Sequence, residues 1–472
     1  MNFSMIPEKV YGLKDEELAM LRDLISIYEY HRSRNYKKAR YYEGLIPLSE
    51  VNLGLALPEN IRGFEIGCNW GAKTVDVLAA RSMFDGFVSS NGETNAELDR
   101  IVRDNNLISE YKKECKDELK YGCTFITLSK DEKIKCRIRA HSAQTGAARW
   151  HGGKGRIDCG MAILDTVPDE SKNGGWKPKR IALYTDTATI VIEEKDYRWI
   201  ATRIQHKLGR PLMEPLIWNA TTAKPLGQSR IKDPIRRLIQ SYVRTVANAT
   251  IGLEFATAPQ KYILGVTQQQ YDALVNNKFK QYVGSILTAT TNPQTGEKPT
   301  FGQLTQGNIG PHVEMLRILS TQFSAATGLT VTDTGVINDA NPTSSDAILA
   351  QSQTLVSLAE ELNTGNGDSL RTIAQMALAI ASDKTMEDLT EDQKDIVAHF
   401  KNPAMPSVAA TSDAAIKIAS ARENFAQTDV FLEMIGFDQA DIRRIKAQEQ
   451  RARGQQLLTE IDEEDTFEDE VV

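Results

Sequence analysis

The segment Gly67-Cys68-Asn69-Trp70-Gly71-Ala72-Lys73-Thr74 comes closest to a chemical motif, the loop that cradles nucleotide phosphates on backbone amides at a helix N-terminus. The match is partial. Ala72 stands where the second glycine belongs, and the stretch before it, with Asn60, Arg62 and Gly63, makes a poor buried strand. The same letters read more simply as Asn69 starting a helix on which Trp70 packs against neighbours. Metal chemistry has less support: Cys68, Cys115, Cys123, Cys136 and Cys159 are odd in number and show no metal-ligand spacing. They read as free, reduced thiols. His31, His141, His151, His206, His312 and His399 are scattered singly, without HExxH. There is no Gly-x-Ser-x-Gly elbow, and the pair Glu193-Glu194 sits in a charged, exposed-looking context. No catalytic residue, metal or cofactor is expected.

Charge narrows the partners. The net charge of −7 is concentrated in one place, since the segment from Glu460 to Glu470 carries eight acidic residues and no basic one. Taking that −8 from −7 leaves a body near +1, without the basic footprint of a protein that grips DNA tightly. The tail reads as a solvated, disordered end. With 41% hydrophobic and 25% charged residues, the composition is that of a soluble globular fold. No apolar run approaches the roughly 18 residues of a membrane span. The start, Met1-Asn2-Phe3-Ser4, lacks a secretory signal, so the expected compartment is the cytoplasm.

The elements that would carry any site follow from periodicity. Leu18, Leu21, Leu24, Ile25 and Tyr28 predict a helix from about Lys14 to Tyr30. A basic and aromatic stretch follows, with Arg32, Arg34, Lys37, Lys38 and Arg40 among Tyr36, Tyr41 and Tyr42; it reads either as stacking on nucleic acid or as a solvated helix end with packed tyrosines. Further helices are predicted over about 69–81 and around Leu98 to Val102. Strands are predicted over 124–128, 134–139 and 187–192, with turns at Gly152-Gly153 and Asn173-Gly174-Gly175. Asp233-Pro234 announces a long helix to about Phe255, and Pro311 opens another that ends near Gly328. A loop from Leu329 to Thr343 precedes a helix capped by Ser344 or Ser345, which Gly365-Asn366-Gly367 is expected to break. More helices follow over 369–382, 413–426, 429–435 and 439–453. The class is α+β, mostly helical, with no internal repeat.

Several segments, in order, resemble the portal proteins of long-tailed, siphovirus-type bacteriophages. They are Tyr41-Tyr42-Glu43-Gly44; Asn69-Trp70 leading to Ala80-Arg81 and Gly86-Phe87; Glu118-Leu119-Lys120-Tyr121-Gly122; Gly227-Gln228-Ser229-Arg230; Ala326-Thr327-Gly328-Leu329; and Asn341-Pro342-Thr343-Ser344-Ser345-Asp346-Ala347-Ile348. Their order and spacing carry the resemblance, over about residues 36–380. It implies the portal fold: a wing over 1–232, a stem helix over 233–256, a clip over 257–310 and a second stem helix over 311–327. A tunnel loop over 328–343, a long helix and remaining wing over 344–402, a helical crown over 403–455 and the acidic disordered tail over 456–472 complete it.

The resemblance also implies a function and partners. The chain would form a homo-oligomeric ring, typically a dodecamer of about twelve copies, at one vertex of the head. Double-stranded DNA would pass through it non-specifically during packaging and ejection. The terminase large subunit, a head–tail adaptor, and the major capsid and scaffold proteins would be partners. Thr330, Thr332, Asp333, Thr334, Asn338, Asp339 and Asn341 would line the tunnel with polar groups and no Lys or Arg, a loose contact suited to sliding. The location would be the virion, with assembly in the host bacterial cytoplasm and no membrane. Alternative readings are another phage head structural protein, minor capsid or scaffold-like, and a cytoplasmic enzyme.

Overall fold

A computed structural model describes residues 10–46, 66–89, 95–169, 175–196, 198–257, 261–269, 272, 291, 296, 298–303, 308–335, 345–404, 408–422, 424–437 and 439–468. The chain divides into two units, Met1–His399 and Phe400–Val472.

The first unit begins with α1 (Asp15–Glu43), whose buried residues Leu21, Leu24, Tyr28, Asn35 and Tyr41 follow one another at spacings of three, four, seven and six positions. The helix runs well past Tyr30 because the basic and aromatic stretch contains no glycine or proline before Gly44. That glycine ends it in the left-handed conformation, at φ 73°. Two short strands, β1 (Leu45–Ile46) and β2 (Ile66–Gly67), pair antiparallel. Then come α2 (Trp70–Ala79), β3 (Phe84–Ser89), α3 (Ala96–Asp104) and α4 (Leu107–Tyr121). The next pair, β4 (Cys123–Asp131) and β5 (Lys135–Ser142), joins a later strand, β11 (Met213–Ile217), in a three-stranded antiparallel sheet ordered β11-β4-β5.

Between them lies an antiparallel meander of β6 (Gly146–His151), β7 (Arg156–Asp169), β8 (Gly175–Tyr184), β9 (Ala188–Lys195) and β10 (Arg198–Gln205), each beside the next. The face of α1 carrying Leu21, Leu24 and Tyr28 closes over this sheet in one core with Met161, Ile181, Leu183 and Ile190. At roughly 25 cal/mol per Å² of apolar surface buried, that contact is the main stabiliser of this half of the unit.

Two helices follow, α5 (Asp233–Thr257) and α6 (Gly310–Thr327), separated by a segment whose described part includes β12 (Lys261–Leu264) paired antiparallel with β13 (Thr300–Gln303). Beyond them α7 (Ser345–Ala381), the short α8 (Glu391–Lys394) and β14 (Ile396–Phe400), which pairs with β3, complete the sequence of elements. The second unit holds α9 (Val408–Ala421), α10 (Asp429–Ile435) and α11 (Gln439–Glu468). Helices and antiparallel sheets together make the fold α+β. No helix among the described residues is long and apolar enough to cross a membrane.

One expectation is corrected. Gly365-Asn366-Gly367 does not break a helix: α7 runs straight through it. A Cβ on Gly365 would lie 3.9 Å from the Ile217 carbonyl, an ordinary contact distance. Asn366, fully buried, donates to the Tyr111 hydroxyl at 3.0 Å and to Glu118 Oε2 at 2.8 Å. Its tertiary bonds outweigh a helix penalty of about 1 kcal/mol per glycine. α11 continues to Glu468 through helix-favouring Gln, Leu and Glu.

Asn366 belongs to a buried polar network on α4. Ser82 Oγ lies 2.6 Å from both the Tyr111 hydroxyl and Asn363 Oδ1. Burial pushes the Glu118 carboxyl up to about 8, and its Oε1 has no hydrogen-bond partner among the described residues. The acid is therefore neutral in the folded state at pH 7. A folded value above the unfolded one near 4.5 means the native chain binds the extra proton. Its stabilising share is then full below about 4.5 and is lost as pH rises through about 8. Burial raises Glu114 and Glu214 to about 7, with the same sign. Urea unfolding of the full chain should show stability falling between pH 5 and 8, and Glu118→Gln should remove on the order of 2 kcal/mol of that fall. An unchanged slope in Glu118→Gln would show that this carboxyl does not titrate with folding.

Candidate functional site

The five segments from Tyr41 to Leu329 that carry the family resemblance converge on one buried junction, where α2 meets the pair α5 and α6. The pair is antiparallel: α5 begins beside the end of α6, and the β12–β13 hairpin joins them at the other end. Their shared face buries Ile239, Val243 and Ala247 with Leu319 and Phe323. Trp70 of α2 wedges between the two, its ring 4.5 Å from Phe323 of α6 in a stacked arrangement and 4.4 Å from Tyr242 of α5. The indole Nε1–H donates to the Thr334 carbonyl at 3.0 Å.

Arg230 closes the junction. It is 8% exposed, its Nε donates to the Thr74 carbonyl of α2 and its Nη2 to the Thr327 carbonyl at the end of α6, each at 2.7 Å. The guanidinium lies 5.7 Å from the Trp218 ring. No carboxylate pairs with it among the described residues, and burial alone pushes its pKa down to about 10. The residues before it are set against α4. Ser229 Oγ donates to the Lys120 carbonyl at 2.5 Å, and the Arg230 amide to the Leu119 carbonyl at 2.9 Å.

Glycine permits that approach. Gly122 has φ 109°, and a Cβ there would come within 3.0 Å of the Gln228 and Ser229 backbone. Gly227, at φ 74°, faces the Trp218 and Gly122 carbonyls so closely that no Cβ fits. Gly71 packs on the Tyr41 carbonyl in the same way. That contact removes the phosphate loop as a reading: α1 covers this side of α2, and the Thr74 hydroxyl is buried, donating to the Trp70 carbonyl at 2.8 Å. The described residues contain no cluster of His, Cys, Asp and Glu able to hold a metal.

Of the residues expected in the tunnel loop, four are described. Thr330 starts a 3₁₀ turn, Val331–Thr334: its hydroxyl lies 2.7 Å from Asp333 Oδ2, and its amide donates to the same oxygen at 3.0 Å. Thr332 is exposed. Thr334 is 8% exposed, its hydroxyl 2.5 Å from Ser320 Oγ and donating to the Val331 carbonyl. Asn338, Asp339 and Asn341 lie outside the described residues. Arg230 stood in a recognised segment, but its role had no sequence signal, because a lone arginine before a helix start is normally solvated.

Replacing Arg230 by Ala removes the side-chain bonds to the Thr74 and Thr327 carbonyls and leaves a void. Chemical denaturation of the full chain should show a loss of about 3 kcal/mol, with Arg230→Lys in between, since one ammonium cannot fork to both carbonyls. A loss under about 0.5 kcal/mol for Arg230→Ala would mean the junction does not depend on this side chain.

The family model described as "Phage portal protein, SPP1 Gp6-like" matches residues 21–455. No curated protein matches the sequence. Among solved structures, the chain is similar to one from a "Neck of empty GTA particle computed with C6 symmetry", at 13% identity and TM-score 0.46 over 81% of this chain and 96% of that one. It is also similar to one from a "Neck of native GTA particle computed with C12 symmetry", at 13% identity and TM-score 0.45 over 78% and 89%. A third, from a "Virion of native gene transfer agent (GTA) particle", has 12% identity and TM-score 0.45 over 75% and 86%. With a family model covering all five segments of the junction, the chain belongs to the SPP1 Gp6-like phage portal protein family, a family of structural head proteins and not of enzymes.

Proposed function

We propose that the chain is a portal subunit that assembles in a closed ring at one vertex of the phage head and encloses the channel through which double-stranded DNA enters and leaves. Family membership over residues 21–455 carries this reading. In it, α5 and α6 are the stem helices, the segment between them the clip, and residues 328–343 the tunnel loop. Residues 1–232 are the wing, 344–402 the long helix and remaining wing, and 403–455 the crown. The terminase large subunit, the head–tail adaptor, and the capsid and scaffold proteins are the partners this position implies.

The helix pair suits a heterologous ring contact. Its inner face is filled, yet Val313, Met315 and Ile318 of α6 and Leu253 of α5 are exposed, between 42% and 47% of each. Neighbouring stems would bury them. The described base of the loop presents Thr332 and no cation, so contact with DNA stays free of a charge grip that would resist sliding.

Electron microscopy and native mass of the purified protein should show rings with a central channel. Val313→Glu together with Ile318→Glu should shift the native mass to monomer while far-ultraviolet circular dichroism stays unchanged; rings that survive the double change would place the subunit contact elsewhere. Because Thr334 is part of the junction, the loop is tested by deleting residues 336–341. Rings should still form, and DNA packaging should fall at least about tenfold, roughly 1.4 kcal/mol in an effective barrier. Normal packaging would remove the loop from the mechanism.

A further inference from the structure

Between α1, the β4 and β6 strands and the segment leading into α5 lies a cleft of about 810 Å³. Its charge is one-sided. Arg34, Lys38, Lys224, Lys232 and Arg236 line it, against the single carboxylate of Asp233, which pairs with Arg236. Arg34, Lys38, Lys224 and Lys232 have no ion-pair partner among the described residues. Lys38 is the deepest: its ammonium donates to the Tyr121 carbonyl at 2.8 Å and to Asn35 Oδ1 at 3.2 Å, and burial together with Arg236 and Arg34 pushes it down to about 8. Arg34 rests over the Tyr30 ring at 4.6 Å, and Lys224 reaches only Gln228 Oε1, at 3.1 Å. Lys38 is partly desolvated and Arg34, Lys224 and Lys232 are exposed around it; cations held together with so few anions repel one another, and an incoming polyanion relieves that cost.

The chain carries such a polyanion itself. Residues 460–470 hold eight carboxylates and no basic side chain, so this segment cannot neutralise itself. It lies at the end of a helix of 30 residues, about 45 Å long at 1.5 Å each, a reach suited to another subunit. We propose that this cleft is a docking site for residues 460–470 of a second copy of the chain, so that in a closed ring each tail seats on a neighbour. The inference rests on the ring proposed above. Cyclic symmetry supplies one tail per cleft, and the tether raises the local concentration of a weak electrostatic contact. A phosphodiester strand satisfies the same cations but is not supplied in equal number by the assembly itself.

The test uses the full chain carrying Lys232→Cys and Glu463→Cys, with each single change as control, and a short thiol cross-linker. The expected result is a ladder of interchain products for the double variant alone. It should weaken at least about tenfold when Arg34→Glu and Lys224→Glu are added, or when salt rises from about 50 to about 500 mM. Native mass of the same sample separates the two readings. Rings without interchain product overturn the docking and leave the portal reading standing, whereas a monomer overturns both. A ladder indifferent to charge reversal and salt overturns the docking. So does oligothymidylate binding that Arg34→Glu and Lys224→Glu abolish in a chain giving no interchain product.

Discussion

A buried guanidinium bonded to two carbonyls, with no carboxylate pairing with it among the described residues, is the constraint on which this fold turns. Taking Arg230 out of water costs several kcal/mol, so the arrangement persists only because its donors meet acceptors inside the protein. Thr327 ends α6, and its carbonyl is among those a helix leaves without an internal partner, at the negative end of the helix dipole. Arg230 therefore does for α6 what a solvated C-terminal cation does elsewhere, but inside the protein. It also fixes where α5 starts, three residues on, and so sets the register of the two helices against each other and against α2.

The recurring short segments make physical sense once that constraint is seen. Gly122 and Gly227 are glycines for the same reason: two backbones approach at a distance that excludes a Cβ on either. Changing the turn after α4 would lift the Arg230 backbone off Leu119 and move the guanidinium. Gly71 plays the equivalent part between α1 and α2. The segments are far apart in the chain and adjacent in space, and each is short because only its closest point is constrained.

Much of this was legible in the sequence. The helices at Asp233 and Pro311 declared themselves through proline in the first turn and an apolar stripe, and α10 has the expected bounds. The strands over 124–128, 134–139 and 187–192 were visible from alternation. α4 was not: two of its buried positions are Glu114 and Glu118, which break the apolar period with carboxyls whose pKa values burial raises. β6, β7 and β8 were hidden because much of β7 and β8 is buried on both faces and does not alternate. The loop residues were legible as polar but not as divided, because the burial of Thr334 depends on Ser320 and Trp70, which are distant in sequence.

That division decides how the helix pair and the loop can influence each other. The chain leaving α6 is held by Gly328 in the left-handed conformation at φ 73°, then by the Thr330–Asp333 cap, then by Trp70 on the Thr334 carbonyl. The indole that grips Thr334 is the one stacked between Tyr242 and Phe323. A tilt of α5 or α6 against α2 cannot leave Trp70 in place, and a displaced Trp70 releases Thr334. Packed aromatic contacts of this kind shift between discrete arrangements and do not stretch. Because carbonyls and rings make the junction, its strength is insensitive to pH near neutrality, in contrast to the Glu118 network on α4. Movement of the helix pair therefore reaches the base of the loop through Trp70, by packing and not by charge.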